Sequence, residues 1–324
     1  MRVVRVDEFG PPQVLHVEEA DAPEAGPGQA VVEVEVAAAI YGDTIVRGGR
    51  YPFPLPYVPG LEVAGRVVSV HPASDQSLVG QRVVATTVGM TGGYAEQAVV
   101  AVGQMHPVPV ELSLDEAIAV FQAGAVAGGI LSAVRLSPDD SVLVTAAAGR
   151  IGSLLVQLAK ERGARTVIGA AGGERKTAAA REFGADLAVD YTADGWVEQV
   201  KEATGGKGAD IVLDAVGGTV GARALDAAAD GGGRIGVYGF TSGEWTALDA
   251  FTLGRRGLTV IGALGIAFAK PAAEQHADVT EALKAAAAGR IGARIHATYP
   301  LEQAAEAHAD LEERRTIGAV LLRP

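Results

Sequence analysis

The residues best suited to chemistry are the small ones in residues 141–160, SVLVTAAAGRIGSLLVQLAK. Ala146, Gly149 and Gly152 stand three residues apart and form an AxxGxxG pattern. Residues of this size allow a sharp turn, and they let backbone N–H groups at a helix N-terminus approach an anion closely. The chemistry that this spacing favours is the binding of a pyrophosphate.

The elements that must position this turn are present on both sides of it. Residues 142–144 are an apolar run typical of a strand buried on both faces, and the apolar residues within 154–159 recur at helical spacing. Strand, turn and helix together form a dinucleotide-binding fingerprint, whereas a glycine triplet alone would be weak evidence for such a site. The alternative is a turn that packs a strand on a helix without a ligand. For a dinucleotide, the expected contacts are Ala146, Ala147, Gly149, Arg150, Ile151 and Gly152.

The composition limits the possible classes of function. The net charge of −12 disfavours nucleic acid and anionic membrane surfaces as partners, because clustered Lys and Arg bind both. The chain has no cysteine, so disulfide bonds are excluded. We expect no apolar run to approach the roughly 20 residues that span a bilayer, and the acids in MRVVRVDEFG argue against a signal peptide. These features predict a cytoplasmic protein.

The chain changes character near residue 119. Residues 1–118 contain short apolar runs between turn residues, which predict a barrel-like β domain, and the four prolines in residues 50–60 predict an irregular loop. From residue 119 strands and helices alternate, as in a parallel sheet. The predicted strands are 141–145, 165–170, 186–190, 209–214, 233–239 and 257–262, and the predicted helices between them are 150–162, 174–183, 195–204 and 220–229.

These patterns predict an α/β protein of two domains. Residues 119–261 are expected to form a doubly wound dinucleotide-binding (Rossmann) domain with a parallel sheet. Residues 1–118 and 262–324 are expected to form the catalytic domain. Within the latter segment the sequence predicts helices near 271–288 and 301–314 and a last strand at 319–322 that rejoins the barrel.

The end of the second predicted parallel strand bears on which dinucleotide binds. NAD-selective enzymes carry Asp or Glu there for the ribose 2′-hydroxyl, whereas this chain has Ala171, Gly172 and Gly173. Arg175 and Lys176 follow in the first turn of a predicted helix, where the helix dipole opposes cations by a few tenths of a kcal/mol up to about 1 kcal/mol. A bound anion would reverse that penalty, so the segment favours a 2′-phosphate and hence NADPH.

Four further segments resemble a known family. Residues 59–65 read PGLEVAG, residues 92–96 read GGYAE, and the C-terminal part contains YPL at 299–301 and GAVLL at 318–322. Together with the AxxGxxG turn, they resemble the zinc-free quinone oxidoreductase branch of the medium-chain dehydrogenase/reductase superfamily, which includes zeta-crystallin, over essentially the whole chain. The resemblance implies a GroES-like β-barrel catalytic domain and a homodimer joined through the sheet edge near residues 258–261.

The resemblance also implies cofactor-binding residues outside the turn. Lys176 and Tyr191 match the Lys and Tyr that contact the 2′-phosphate in that branch; a solvated Lys and a surface Tyr are the alternative. Backbone at the ends of two later strands is expected to face nicotinamide and ribose, although Phe240 is equally suited to a core. Arg314 matches a basic residue that reaches the phosphates, or else it is a surface residue. The full set is Gly172, Gly173, Lys176, Tyr191, Val216, Gly239, Phe240, Thr241 and Arg314.

Two polar residues match the active-site segment of that branch and are the catalytic candidates. Tyr51, on the proline-rich loop, is expected to donate a hydrogen bond to a carbonyl or enolate oxygen, and Asp43 is the second candidate. The alternatives are packing of Tyr51 within its loop and capping by Asp43 of a helix that starts at Thr44. Ile40 stands where many relatives carry Asn, so one expected amide contact is missing.

The chain departs from the zinc-using relatives at Leu61. Those enzymes have His there and take other ligands from Cys, and none of the six histidines here lies in HxxH or HxxxH spacing. We therefore expect no metal site, and we expect Glu62 to be a buried structural acid paired with a cation. Without a Lewis acid an alcohol is not activated, whereas a quinone or an α,β-unsaturated carbonyl is already electrophilic.

These inferences predict a zinc-independent, NADPH-dependent oxidoreductase that transfers hydride to a small-molecule quinone or activated α,β-unsaturated carbonyl. Two alternatives remain open. One is an enoyl or alkenal double-bond reductase with a biosynthetic tailoring role. The other is an NADPH-binding protein with little turnover.

Overall fold

The computed structural model describes residues 1–324. The strands are β1 (Arg2–Arg5), β2 (His16–Glu19), β3 (Gln29–Ala39), β4 (Glu62–Val70), β5 (Arg82–Thr87), β6 (Gln97–Pro107), β7 (Ser141–Val144), β8 (Thr166–Ala171), β9 (Leu187–Asp190), β10 (Ile211–Asp214), β11 (Arg234–Val237), β12 (Thr259–Gly262), β13 (Ile295–Pro300) and β14 (Ala319–Arg323). The α-helices are α1 (Tyr41–Arg47), α2 (Leu114–Ala133), α3 (Arg150–Glu161), α4 (Glu174–Glu182), α5 (Trp196–Ala203), α6 (Gly218–Asp226), α7 (Ala250–Arg256), α8 (Ala263–Phe268), α9 (Ala272–Ala287) and α10 (Ala304–Glu312).

Two compact units make up the chain. The barrel unit comprises Met1–Gln122 and Leu283–Pro324, and the sheet unit comprises Ala123–Ala282. Each unit has an apolar core of its own, which is rich in Val and Ala in the barrel unit and includes the buried Trp196 in the sheet unit.

The barrel unit is built on a six-stranded sheet with the order β13-β14-β3-β4-β5-β6. β3 also pairs antiparallel with β6, from Gln29 opposite Ala101 to Glu33 opposite Gln97, so that strands β3 to β6 close into a ring. Ring closure leaves these strands without a free edge. β14 pairs antiparallel with β3, which confirms that the last strand rejoins the barrel.

The sheet unit contains six parallel strands in the order β12-β11-β10-β7-β8-β9. This is the doubly wound order that the sequence predicts, and all six predicted strands and the four predicted helices between them are present. The order reverses between β7 and β10. In open α/β sheets the ligand crevice lies at this reversal, beyond the carboxyl ends of the strands.

Four helices differ from the sequence-based expectation, and two of them, α7 and α8, are short helices that the sequence did not predict. α1 begins at Tyr41 instead of Thr44, so Asp43 lies inside its first turn. α2 was not predicted, because it is apolar on nearly all sides and shows no amphipathic stripe. Contrary to our expectation, it is long and apolar enough to cross a membrane, but 72% of its most apolar window is buried inside the protein. That burial is typical of the core helix of a globular protein.

Candidate functional site

The turn after β7 has the close backbone packing that its small residues predict. Ala146 adopts a φ of 49°, a left-handed conformation uncommon outside glycine, and its carbonyl accepts a hydrogen bond from the Gly149 N–H at 2.8 Å. A Cβ atom at Gly152 would lie 2.1 Å from the same carbonyl oxygen, so no larger residue fits there. The Ala147 N–H donates to the carbonyl of Ala170 on β8 at 3.1 Å, which fixes the turn to the sheet.

α3 directs its N-terminus into this turn. The first backbone N–H groups of a helix have no hydrogen-bond acceptor within the helix. The N-cap residue of α3, Gly149, has no side chain that could accept hydrogen bonds from them. Arg150 and Ile151 are partly exposed, whereas Gly152 is buried. A pyrophosphate fits this arrangement, because the amides and the helix dipole both favour an anion and the small residues leave space for it.

The ends of β8 and β9 bring Gly172 and Tyr191 together. A Cβ atom at Gly172 would lie 3.1 Å from the Tyr191 ring and 3.4 Å from its hydroxyl oxygen. Gly173, with a φ of 83°, is the N-cap of α4, and Lys176 lies one turn further along, where its N–H donates to the Gly173 carbonyl at 3.2 Å. Lys176 and Tyr191 are both half-buried. A phenol and two glycines therefore lie together at the sheet edge, and Lys176 belongs to the first turn of the helix that begins there.

Asp190 holds this region in shape. Burial opposes its ionisation, but hydrogen bonds from the Thr192 hydroxyl and from the backbone N–H groups of Gly173 and Thr192 lower the pKa of its carboxyl. The carboxylate thus ties the loop after β8 to the loop after β9. Sequence reasoning missed Asp190, because its partner Gly173 is distant in the chain and carries no side chain.

The loops after β10 and β11 are joined by backbone hydrogen bonds. The Thr241 N–H donates to the Ala215 carbonyl at 2.9 Å, and the Ser242 N–H donates to the Val216 carbonyl at 2.8 Å. A Cβ atom at Gly239 would lie 3.0 Å from the Ala215 carbonyl oxygen, which explains the glycine. Val216, Gly239 and Thr241 thus share the carboxyl edge of the sheet.

Phe240 lies at the same edge and is only half-buried. Its ring lies against the Trp245 ring, with centroids 4.4 Å apart and planes at 34°. Because it packs on an exposed indole outside the apolar core, the core-residue alternative does not describe it. The two aromatic rings give this loop an apolar surface beside the predicted nicotinamide position.

In the barrel unit, Asp43 belongs to a buried polar network. Its Oδ2 accepts hydrogen bonds from the Ile40 N–H at 3.1 Å and from the Tyr94 hydroxyl at 2.8 Å. The Tyr94 oxygen lies 3.0 Å from Nε2 of His308 on α10. Since Tyr94 gives its single proton to the carboxylate, the Nε2 atom of His308 must be the donor in that contact. Asp43 therefore does cap α1, but from inside the first turn.

Burial sets the protonation of this network. Burial lowers the pKa of His308 to about 3, with a smaller effect from the nearby Arg47 guanidinium. Burial also raises the pKa of Tyr94 well above its usual value, assisted by the negative charge of Asp43. At neutral pH the imidazole and the phenol are therefore both uncharged.

The other barrel-side candidates are exposed. The Tyr51 side chain is 59% exposed on the proline-rich loop, and its hydroxyl has no hydrogen-bond partner within the chain. It is thus not packed inside its loop. Arg314 is also exposed, lies just beyond α10 and adopts a φ of 55°.

The segments around Leu61 and Tyr94, which carry the family resemblance, lie against each other. The Gly93 N–H donates to the Gly60 carbonyl at 3.0 Å, and a Cβ atom at Gly60 would lie 2.5 Å from the Tyr94 ring, so both glycines are required by packing. Leu61 directly precedes β4, and Glu62 is 3% exposed. No group of three or more His, Cys, Asp or Glu side chains is arranged to hold a metal ion.

Comparison with known proteins agrees with this arrangement. A family model described as an alcohol dehydrogenase GroES-like domain matches residues 26–110, and one described as a zinc-binding dehydrogenase matches residues 151–288. A probable quinone oxidoreductase from Schizosaccharomyces pombe is 32% identical, and the match covers 99% of this chain and 96% of that protein. The chain belongs to the quinone oxidoreductase family of the medium-chain dehydrogenases/reductases.

Two other proteins are similar to this quinone oxidoreductase family member over nearly its whole length. A 2-haloacrylate reductase from a Burkholderia species is 31% identical over 98% of both chains. The crystal structure of Escherichia coli quinone oxidoreductase complexed with NADPH superposes with a TM-score of 0.91, at 30% identity and with full coverage of both chains. The matches extend over both units, so the family's barrel and sheet units are both represented in this chain.

Proposed function

We propose that this protein is a metal-independent, NADPH-dependent oxidoreductase that reduces small-molecule quinones or activated α,β-unsaturated carbonyls. The observation that carries the proposal is that Gly172, Gly173 and Tyr191 lie together with the first turn of α4, which contains Lys176, beside a β8 that ends without an acid. A cation and a phenol beside a glycine loop suit a 2′-phosphate, and an acid that would repel it is missing from the strand end. The solved E. coli relative with bound NADPH supports the same cofactor.

The chain's own residues have distinct roles in this proposal. The turn from Ala146 to Gly152 holds the pyrophosphate through backbone amides. The loops at Val216 and at Gly239 to Thr241 orient the nicotinamide end, and Arg314 is the basic residue that the family resemblance assigns to the phosphates. When bound, NADPH supplies the hydride.

On the substrate side, Tyr51 offers an exposed hydroxyl that donates a hydrogen bond to the oxygen on which negative charge develops. Asp43 is a positioning residue, because its carboxylate already accepts from Ile40 and Tyr94. The lack of a metal follows from residue types: Leu61 replaces the usual His, and the chain has no cysteine. Without a Lewis acid, an acceptor that is already electrophilic is the chemically suitable substrate.

A second candidate function is the reduction of an activated carbon–carbon double bond. The 2-haloacrylate reductase among the relatives favours it, because its name describes a reductase of an α,β-unsaturated acid. A low-turnover NADPH-binding protein is the third candidate.

Side-by-side kinetics separate these candidates. After chelator treatment and metal analysis, NADPH oxidation is followed with 1,4-benzoquinone, 9,10-phenanthrenequinone and 2-cyclohexenone, with ethanol and NADP⁺ as the control reaction. We expect turnover with the quinones at less than stoichiometric metal, and none with ethanol. Faster reduction of the enone would favour the double-bond reductase, binding of NADPH without oxidation would favour the binding protein, and a requirement for zinc would contradict the proposal.

We further propose a cytoplasmic homodimer. β12 is the edge strand of the parallel sheet, and its Val260 and Ile261 side chains are partly exposed there. An edge of this kind is stabilised by pairing with a second copy. Sedimentation equilibrium is expected to give twice the 33.0 kDa chain mass, and a monomer would contradict the dimer.

A further inference from the structure

The sheet unit contains a buried carboxylate that neither the AxxGxxG turn nor the proposed chemistry accounts for. Asp214 is the last residue of β10 and is fully buried. Its position is next to the reversal of strand order, opposite the end of β7. Unpaired carboxylates are rarely buried, because losing water is costly unless hydrogen bonds or a cation replace it.

Four donors surround this carboxylate. Oδ1 accepts from the Thr145 hydroxyl at 2.8 Å and from the Val216 N–H at 3.0 Å. Oδ2 accepts from the Gly217 N–H at 3.1 Å and from the Thr246 hydroxyl at 2.6 Å. A carboxylate has four lone-pair positions on its two oxygens, so each one is used.

The four donors come from three separate loops. Thr145 directly precedes the left-handed Ala146, and its hydroxyl also accepts from the Ala215 N–H at 3.0 Å. Val216 and Gly217 belong to the loop after β10, and Thr246 belongs to the loop after β11. One side chain thus holds the pyrophosphate turn and both loops on the nicotinamide side.

Neither an apolar residue nor asparagine would satisfy these four donors. An apolar side chain at 214 would leave all four donors without an acceptor. Asn has a single acceptor oxygen, and its NH₂ group would face two of the donors. A Cβ atom at Gly221 would lie 2.6 Å from the Asp214 Oδ2 and 2.0 Å from the Thr246 hydroxyl, so the space around the carboxylate is filled.

We propose that Asp214 is a positioning residue that sets the pyrophosphate turn and the nicotinamide-side loops at the geometry in which they bind NADPH together. The proposal rests on the proposed function, since it assumes that the dinucleotide binds at this edge. Lys176 and Tyr191 are outside the hydrogen-bond network of Asp214, so the 2′-phosphate end is independent of it.

Strands β7 and β10 provide a matched control at their opposite, amino-terminal ends. Asp210, just before β10, accepts from the Ser141 N–H at 2.8 Å and the Ser141 hydroxyl at 2.7 Å at the start of β7. Asp210 and Asp214 therefore both accept from a hydroxyl at an end of β7, and Asp210 also pairs with the exposed Arg165 at 3.0 Å. Only Asp214 accepts its hydrogen bonds at the carboxyl ends of the strands, where the dinucleotide is proposed to bind.

The experiment measures dissociation constants by titration calorimetry for NADPH and for adenosine 2′-monophosphate, which carries the 2′-phosphate but neither the pyrophosphate nor the nicotinamide. For Asp214→Asn we expect at least a tenfold weaker NADPH affinity and less than a twofold change for the monophosphate. For Asp210→Asn we expect both affinities to stay within twofold of the wild type. General damage to the fold would weaken both ligands in either variant, so the split between ligands is the diagnostic result.

Thr246→Val provides a second variant in case Asp214→Asn does not fold. It removes one donor while keeping the side-chain volume, and a threefold to tenfold loss of NADPH affinity alone is expected. The role of Asp214 would be overturned if the folded Asp214→Asn and Thr246→Val variants bound NADPH as the wild type does. It would also be overturned if Asp210→Asn lost as much NADPH affinity as Asp214→Asn. If the wild type binds neither ligand, the proposed function fails instead, and that outcome is distinct.

Discussion

At the scale of single residues, the barrel unit depends on groups whose partners are fixed by burial. His308 donates to Tyr94, and Tyr94 donates to Asp43, which caps α1. A protonated His308 would place a positive charge in this fully buried position, near the Arg47 guanidinium. The network therefore depends on a neutral imidazole.

This predicts a specific acid sensitivity. His308 has a pKa of about 3 in the folded protein against 6.5 normally, so above pH 6.5 it is neutral in both states and adds no penalty. Between pH 6.5 and 3 only the unfolded chain binds the proton. The free energy of unfolding therefore falls by about 1.4 kcal/mol for each unit by which the pH decreases. In His308→Gln, which keeps a donor, we expect urea midpoints to decline less steeply below pH 6.5.

The control is His71→Gln, since His71 is partly exposed just after β4 in the same unit. Its pH dependence is expected to follow the wild type. If the urea midpoints of the wild type and of His308→Gln declined equally below pH 6.5, His308 would not be held neutral by the fold.

At the scale of elements, much of the site was predictable because its signals are local. The AxxGxxG spacing placed a strand at 141–145 and a helix at 150–162, and the structure has β7 at Ser141–Val144 and α3 at Arg150–Glu161. Asp214 was not identified as a site residue, because its partner Thr145 lies 69 residues away. Strand pairing, not sequence spacing, brings these two side chains together.

The turn itself gives a prediction for Gly152→Ala. The new Cβ would lie 2.1 Å from the Ala146 carbonyl oxygen, so the turn must open and the amides of α3 move. We expect at least a tenfold loss of NADPH affinity in a folded protein, measured by calorimetry. The control is Gly254→Ala, because nothing lies within 4 Å of a Cβ there and alanine in a helix is favoured by up to about 1 kcal/mol. Equal affinities for Gly152→Ala and wild type would refute the close-packed turn.

At the scale of the whole molecule, the architecture was predictable from the sequence, but the strand pairing that closes the barrel was not. Regularly spaced short strands predicted a barrel, and alternating strands and helices predicted the parallel sheet. The pairing of β3 with β6 that closes the ring joins residues more than sixty positions apart, and no pattern within either strand specifies it. The helices α2, α7 and α8 were missed for another reason: α2 is apolar all round, and the other two have seven and six residues.

The choice of cofactor tests the central claim most directly. Calorimetry of NADPH and NADH is carried out on the wild type, on Lys176→Ala, and on Lys160→Ala, which removes only a surface ion pair with Asp186. We predict that the wild type and Lys160→Ala prefer NADPH at least tenfold. In Lys176→Ala the preference should fall by roughly 1.5 to 3 kcal/mol, about tenfold to a hundredfold, because one charge-assisted contact is lost. An NADPH-to-NADH affinity ratio that is the same in all three proteins would contradict the account.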